Sequence, residues 1–379
     1  DITARICGIC PVAYQMSAAH AIEAVAGVRL PAPLDALRRL LYCGEWIGSH
    51  ALHVYMLHAP DFLGYAGGIE MARDHPDRVR AGLALRQAGN AILRTLGGRE
   101  IHPVNVRLGG FYRLPTKAEL AALREVLLPA RDTALATVRW VAGFPVPDVA
   151  RDYRFVALVH PDEYPMNHGE LAASDGLRAP AAAFGQHFTE RQVPWSNALQ
   201  ARARDGAAYL TGPLARYAHN AARLRPIARE AAAAAGLGAA CRNPYRSIVV
   251  RAVEILHACD EALAIIDAYV EPDAPAVPVP LPAGTGHAAT EAPRGLLYHR
   301  YRLDADGSIA DCAIVAPTSQ NQASIEDDLR TLAGDWLALP DAALRERCEA
   351  AVRNHDPCIS CATHFLDLTV DREPGADGR

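Results

Sequence analysis

A mainly α-helical fold, a large buried helical bundle with smaller α/β excursions and a β-hairpin, is what three features of the sequence predict. Long stretches repeat apolar residues at the helical period, that period fades between 144 and 212, and apolar and polar residues alternate on either side of Asp304-Ala305-Asp306-Gly307.

Met16, Ala19, Ile22, Glu23 and Ala26 space a first helix over 14–28, and 30–33 breaks it. The next pattern, from 34 to about 58, carries Leu37, Leu40, Leu41, Cys43, Trp46, Ile47, Leu52 and Val54 and is too apolar for a surface helix. It is expected to be central and largely buried. A polar, glycine-containing stretch over 61–77 precedes a helix expected over 78–96 and halted by Gly97-Gly98, after which 99–115 reads as loop and short strand. Thr116, with Glu119 three residues on, has the capping-box arrangement; its helix runs towards Leu128, where Pro129 is expected to interrupt it before a further helix ending near Gly143.

Residues 144–212, with the β-prone run 153–159, predict a small α+β excursion. Helices resume over 214–235 and 245–270. The Pro- and Ala-rich segment 272–293 leaves little room for regular structure, 295–315 alternates as a β-hairpin, and helices over 325–337 and 341–353 close the pattern. The organisation expected is one domain over 1–364 and a tail over 365–379.

Half of the 379 residues are apolar, enough for a sizeable core. With 38 basic and 43 acidic side chains and no basic run interleaved with aromatics, nucleic acid is not expected as a partner. Nine cysteines, an odd number without small-domain spacing, suit a reducing compartment, and no apolar run has membrane-spanning length. The expected location is the cytoplasm, with no membrane partner.

Four of those cysteines form two Cys-x-x-Cys pairs at opposite ends of the chain: Arg5-Ile6-Cys7-Gly8-Ile9-Cys10 and Asp356-Pro357-Cys358-Ile359-Ser360-Cys361-Ala362-Thr363-His364. That spacing lets two thiolates on one turn face one metal. Pro357 is expected to hold Asp356 extended. Either pair alone reads equally as a redox dithiol or half of a structural zinc site. Structural zinc sites, however, close within a few tens of residues, whereas nearly the whole chain separates these pairs.

The two pairs resemble the cysteine motifs of nickel-iron hydrogenase large subunits, R-x-C-G-x-C and D-P-C-x-x-C-x-x-H. Gly98-Arg99-Glu100-Ile101-His102-Pro103, Glu291-Ala292-Pro293-Arg294-Gly295 and Pro317-Thr318 with Asn321 resemble further segments of that family, in its order. The resemblance implies the family's fold and reversible heterolytic cleavage of dihydrogen. It implies Cys7 and Cys358 as terminal nickel ligands, Cys10 and Cys361 as bridges to an iron carrying carbon monoxide and cyanide, and Cys358 as first proton acceptor. Pro293 and Arg294 would line the cofactor, Arg294 would sit over the metals, and Asp61 and Asp356 would anchor it as outer carboxylates. His364 would be a magnesium ligand, with the precursor cleaved after it. The chain is similar to the cytoplasmic, NADP-linked, sulfhydrogenase-like branch.

Tyr14 stands where many members of that family have histidine, which leaves His20 and His102 as candidate supporting residues. The chain begins six residues before Cys7, and the family's further N-terminal segment, with a proton-relay glutamate, is expected to precede it. Gly236-Leu237-Gly238 follows an Ala-rich stretch and lacks the dinucleotide fingerprint, and no third cysteine cluster is evident. A small iron-sulfur subunit and diaphorase-type subunits carrying flavin and NAD(P) are therefore expected as partners. The readings from other classes are a structural zinc or metal-scaffold protein and a hydrogen-sensing subunit with little turnover.

Overall fold

The computed structural model describes residues 2–358 and Thr369. Cys361 and His364 lie outside them. After a short 3-10 turn at Thr3–Arg5 come α1 (Pro11–Val25) and α2 (Ala32–Leu52). The chain then passes through one π-helical stretch, His53–His58, before α3 (Ala59–Leu63), α4 (Gly68–Asp74) and α5 (Pro76–Gly97). A two-residue hairpin of β1 (Val106–Arg107) and β2 (Gly110–Phe111) leads to α6 (Lys117–Ala142).

The capping box forms as the sequence predicts: Thr116 Oγ1 accepts from Glu119 N at 3.1 Å, and Glu119 accepts from Thr116 N at 2.7 Å. Pro129, expected to divide the helix, lies inside it. A proline there costs about 3 kcal/mol. The stripe Leu120, Leu123, Leu127, Ala130, Ala134, Val138 and Val141 stays buried on both sides of it, and each large apolar side chain covered returns about 1.5–3 kcal/mol. Packing along the whole face outweighs one lost backbone bond.

The excursion contains β3 (Val156–Val159), β4 (Glu170–Ala173) and β5 (Arg178–Ala179) in one antiparallel sheet, a short α7 (Phe184–His187), and the hairpin β6 (Phe188–Val193) with β7 (Ser196–Ala203). Then follow α8 (Pro213–Asn220), α9 (Pro226–Ala234) and α10 (Ser247–Asp267). Pro226 enters at the first position of α9, so the helix expected over 214–235 is two.

The largest departure is in the Pro-rich segment. Its end is a nine-residue strand, β8 (Gly284–Ala292), paired in register with β9 (Gly295–Leu303), and β10 (Ile309–Val315) adds the third strand. Gly284-Thr285-Gly286 gives a weak β signal, yet small residues are what the position needs: a Cβ on Gly286 would sit 1.9 Å from Ala21 O of α1. Helices α11 (Pro317–Trp336) and α12 (Asp341–Arg353) close the described chain, α11 starting eight residues before its expected onset.

Helices α2, α5, α6 and α10 pack against one another as the bundle, with Leu37, Leu41, Trp46, Ile92, Leu127, Val253 and Leu256 in one contiguous core. The β8–β10 sheet lies on α1, and a second apolar cluster joins it to the excursion through Val156, Leu171, Phe188 and Leu296. Because Ala292 pairs with Gly295, the β8–β9 turn is only Pro293-Arg294.

Candidate metal centre

Cys10 is the N-cap residue of α1, and Cys7 lies one turn before it. The amides of Ile9 and Cys10 both point at Cys7 Sγ, 3.4 Å away. Backbone donors of this kind, at a helix start, favour a thiolate. The Cys10 thiol bonds Cys7, and this first, then the two amides and Arg294, pulls Cys7 down to about 5 against its burial. The shared proton and burial push Cys10 up.

From the other end of the chain, α12 finishes at Arg353 and the following residues are gripped at each step. His53 Nε2 donates to Arg353 O at 2.8 Å, His58 Nε2 bonds Asn354 Oδ1 at 2.9 Å, and Ser247 Oγ and Arg251 both donate to Asn354 O. Both histidines come from the π-helical stretch, where the widened turn re-aims side chains. Asp356 then takes φ 49°, not the extended backbone expected before proline. Aspartate tolerates the left-handed region, and the turn sets its buried carboxylate beside Arg294 Nε at 3.3 Å. Cys358 follows: Thr318 Oγ1, in the first turn of α11, accepts from Cys358 N at 3.0 Å and donates to Cys358 Sγ at 3.1 Å.

Arg294 reaches this place from the tip of the β8–β9 turn. Buried Arg216 fixes the turn by donating to Ala292 O and Pro293 O, each at 2.8 Å, while its guanidinium pairs with Glu254 and Glu291 and stacks over Trp46. Gly212 passes so close that a Cβ on it would lie 2.6 Å from Arg294 O. Asn321 of α11 reads Thr211 on both its N–H and its C=O, and Thr211 Oγ1 accepts from Leu296 N. Burial alone would weaken the charge of Arg294, but Asp356 and the thiols of Cys10, Cys358 and Cys7 hold its pKa above the ordinary arginine value. It is a fixed cation among three sulfurs.

The structure therefore brings Cys7, Cys10, Cys358, Pro293, Arg294 and Asp356 together. Asp61 takes Arg353 as a bidentate partner at 2.6 and 2.8 Å, one helix end away from Arg294. His102 bonds Ala4 O at 2.6 Å, tying its loop to the turn before Cys7, whereas His20 stands towards the opposite end of α1. Tyr14 is buried against His299 and close enough to the three thiols that they reinforce burial in pushing its hydroxyl up.

Glu45 was not singled out by either cysteine motif. Its carboxylate, buried in α2, accepts from Val12 N at 2.6 Å and Ala13 N at 3.1 Å, capping α1 directly behind Cys10. Burial first, then the nearby Cys7, pushes its pKa well up. A single acid inside the otherwise apolar run 40–48 of α2 is the signal that marks such a residue.

The donor set suits a soft, electron-rich metal centre: thiols converge from both ends of the chain, and Arg294 Nη1 is buried without a hydrogen-bond partner among the described residues. An anionic ligand on the metal would satisfy that donor. The residues present thus fit a thiolate-held metal centre with an anionic ligand.

Comparison with known proteins agrees. A family model described as nickel-dependent hydrogenase matches residues 1–76. The alpha subunit of sulfhydrogenase 1 of Pyrococcus furiosus is 30% identical over 96% of this chain and 86% of that relative. The beta subunit of the NAD-reducing hydrogenase HoxS of Cupriavidus necator is 26% identical over 96% of this chain and 83% of its own length. The crystal structure of an NAD+-reducing [NiFe]-hydrogenase in the H2-reduced state superposes with a TM-score of 0.85 at 26% identity, covering 96% of this chain and 87% of that one.

Proposed function

Because this chain belongs to the nickel-dependent hydrogenases as a large, catalytic subunit, we propose that Cys7, Cys10, Cys358 and Cys361 hold a nickel-iron centre at which dihydrogen is reversibly split. The observation that carries the proposal is buried Arg294, paired at 3.3 Å with Asp356 two residues before Cys358 and keeping Nη1 without a partner among the described residues. When bound, the centre supplies an electron-rich metal able to polarise dihydrogen into hydride and proton equivalents. In this reading the four thiolates of Cys7, Cys10, Cys358 and Cys361 would hold nickel and iron together, and carbon monoxide and cyanide would complete the iron.

The remaining work belongs to the chain. Cys358 Sγ takes the proton, and the Thr318 hydroxyl, donating at 3.1 Å, spreads the charge of the thiolate that forms when the proton leaves. Arg294, kept protonated by Asp356 and the thiols, acts through its field and its free Nη1 donor and not as a base. Glu45 and the π-helical histidines brace the chain on either side of the site, which holds Cys7, Cys10 and Cys358 in place ahead of metal binding. Asp61, through Arg353, steadies the helix end that delivers Asp356 and Cys358. His364 serves as a magnesium ligand and marks where the tail is removed.

Electrons leave through other subunits. Among the described residues Cys43, Cys241 and Cys259 are buried, and the named strands pair antiparallel, unlike a dinucleotide-binding sheet. We assign a small iron-sulfur subunit and diaphorase-type subunits using NAD(P) as partners, in the cytoplasm; no described helix is long and apolar enough to cross a membrane. The test is elemental analysis with infrared spectroscopy on protein purified anaerobically with its partners. Nickel, iron and the stretching bands of carbon monoxide and cyanide, with dihydrogen-dependent reduction of NAD(P), are expected. Zinc alone and a silent infrared window after co-expression with maturation factors would overturn the reading in favour of a metal scaffold.

A further inference from the structure

The far end of α1 carries a second group of metal-ligating side chains that the dihydrogen chemistry does not use. His20 comes from α1, Asp35 from the first turn of α2, and His168 from the loop before β4, and their donor atoms all lie within 4.8 Å of one another. The two imidazoles stack with centroids 5.0 Å apart and planes 7° from parallel. His168 Nε2 bonds Asp35 Oδ1 at 2.8 Å, and Asn167 Nδ2 donates to the same oxygen at 3.2 Å.

Two acceptors beside that carboxylate are left over. His20 Nε2 and Asn167 Oδ1 are both buried with no hydrogen-bond partner among the described residues, and Asn167 as a whole is 1% exposed. His20 lies against the Asn167 backbone, which leaves the unpartnered Nε2 available as a ligand atom. Arg38, whose charge faces His20, is matched by Glu23 at 2.7 Å. Orphaned buried acceptors are costly unless a donor or a cation completes them. All four residues line a cavity of about 740 Å³ that opens beside the half-exposed His168, so an ion has a way in.

We propose that His20, Asp35 and His168 form a binding site for one divalent cation of the zinc class, with Asn167 Oδ1 or water as the fourth donor. Two imidazoles and a carboxylate are the mixed nitrogen and oxygen set that such ions prefer, whereas calcium and magnesium call for oxygen alone. Metal–donor distances of about 2.0–2.2 Å put tetrahedral donors about 3.4 Å apart. The cluster closes to that by a rotation of His168, whose side chain is 46% exposed, exchanging its bond to Asp35 for a shared ion. The bound ion bolts α1 to α2 and to the 167–169 loop, at the end of the helix opposite Cys10.

The test uses the complete enzyme with its partner subunits, equilibrated anaerobically with zinc sulfate and desalted. Metal analysis is expected to give about one zinc per large subunit with nickel and iron unchanged, and the zinc absorption edge to report nitrogen and oxygen donors at about 2.0–2.1 Å and no sulfur. His168→Ala and Asp35→Asn are expected to lose that zinc while keeping nickel and iron; the exposure of His168 makes its variant the one that folds if the other does not. Absence of zinc, equal zinc in wild type and His168→Ala, or sulfur around the zinc overturns the site.

Discussion

Arg294 shows how one residue's role depends on what surrounds it. An arginine after proline is ordinarily a solvated surface charge, and only the motif around it argued otherwise; burial to 3% exposure and the Asp356 pairing at 3.3 Å give the physical reason. Lysine keeps the charge but loses the planar fork that reaches Asp356 while leaving a second donor free. Arg294→Lys is therefore expected to retain nickel and iron by elemental analysis yet lose most dihydrogen turnover, by about 10²–10³-fold, the range for removing one preorganised donor. Near-normal turnover would remove Arg294 from the chemistry. Glu45 is the converse case. Its residue type was visible in the sequence, but its partners Val12 and Ala13 lie on another helix, and only the fold puts the carboxylate behind Cys10.

Helix periodicity and caps made most elements legible, including α12 to the residue and the capping box of α6. The β8 strand was hidden because its glycines and alanines carry no β propensity and are selected by the closeness of α1. Close approach of this kind gives two predictions. At Gly212, φ is 109° and a Cβ would strike Arg294 O, so Gly212→Ala is expected to lower turnover far more than metal content, because it displaces the tip that aims Arg294. Unchanged turnover would show that the turn tolerates a shift. At the crossing of α2 and α5, a Cβ on Gly89 would lie 2.6 Å from Gly44 O and 2.8 Å from Gly48 N, backbone atoms that cannot swing away. Gly89→Ala should destabilise by about 1–3 kcal/mol. Gly334→Ala, on α11 with nothing near its Cβ, should instead stabilise by about 0.5–1 kcal/mol. Denaturation midpoints that moved in the same direction for both would contradict the assignment of steric contact.

At the scale of the molecule, the site's frame is a set of buried charges and neutral histidines whose partners are far apart in sequence, such as Arg216 with Glu254 and Glu291, and this is why the sequence located the cysteines but not their supports. The same burial sets the response to acid. His50, His53, His58, His257 and His299 are all buried, and burial pushes each of them down, His257 to about 4 and His299 to about 3. An unfolded chain protonates these rings near pH 6.5, so below that pH the unfolded state binds protons that the folded state refuses, and stability falls at up to about 1.4 kcal/mol per pH unit for each group. Glu291, pushed up to about 7 by burial, works in the opposite sense, its contribution being full below the ordinary carboxylate range and lost as pH rises through 7. Glu254 is buried, but Arg216 and His50 hold its pKa down, so its contribution persists until the pH drops below the ordinary carboxylate range. Burial lowers His20 as well, and raises Glu45 as it does Glu291, so these six lowered histidines stand against these two raised glutamates and leave a net loss between pH 7 and 5. The thermal midpoint, measured anaerobically across that range, is expected to fall steadily with acid, and His299→Gln should flatten the slope by about one group's share, or about 1.4 kcal/mol per pH unit. A midpoint that stayed level down to pH 5 would mean that these rings are protonated in the folded chain, and that the frame around the cysteines carries positive charge where this structure places neutral imidazole.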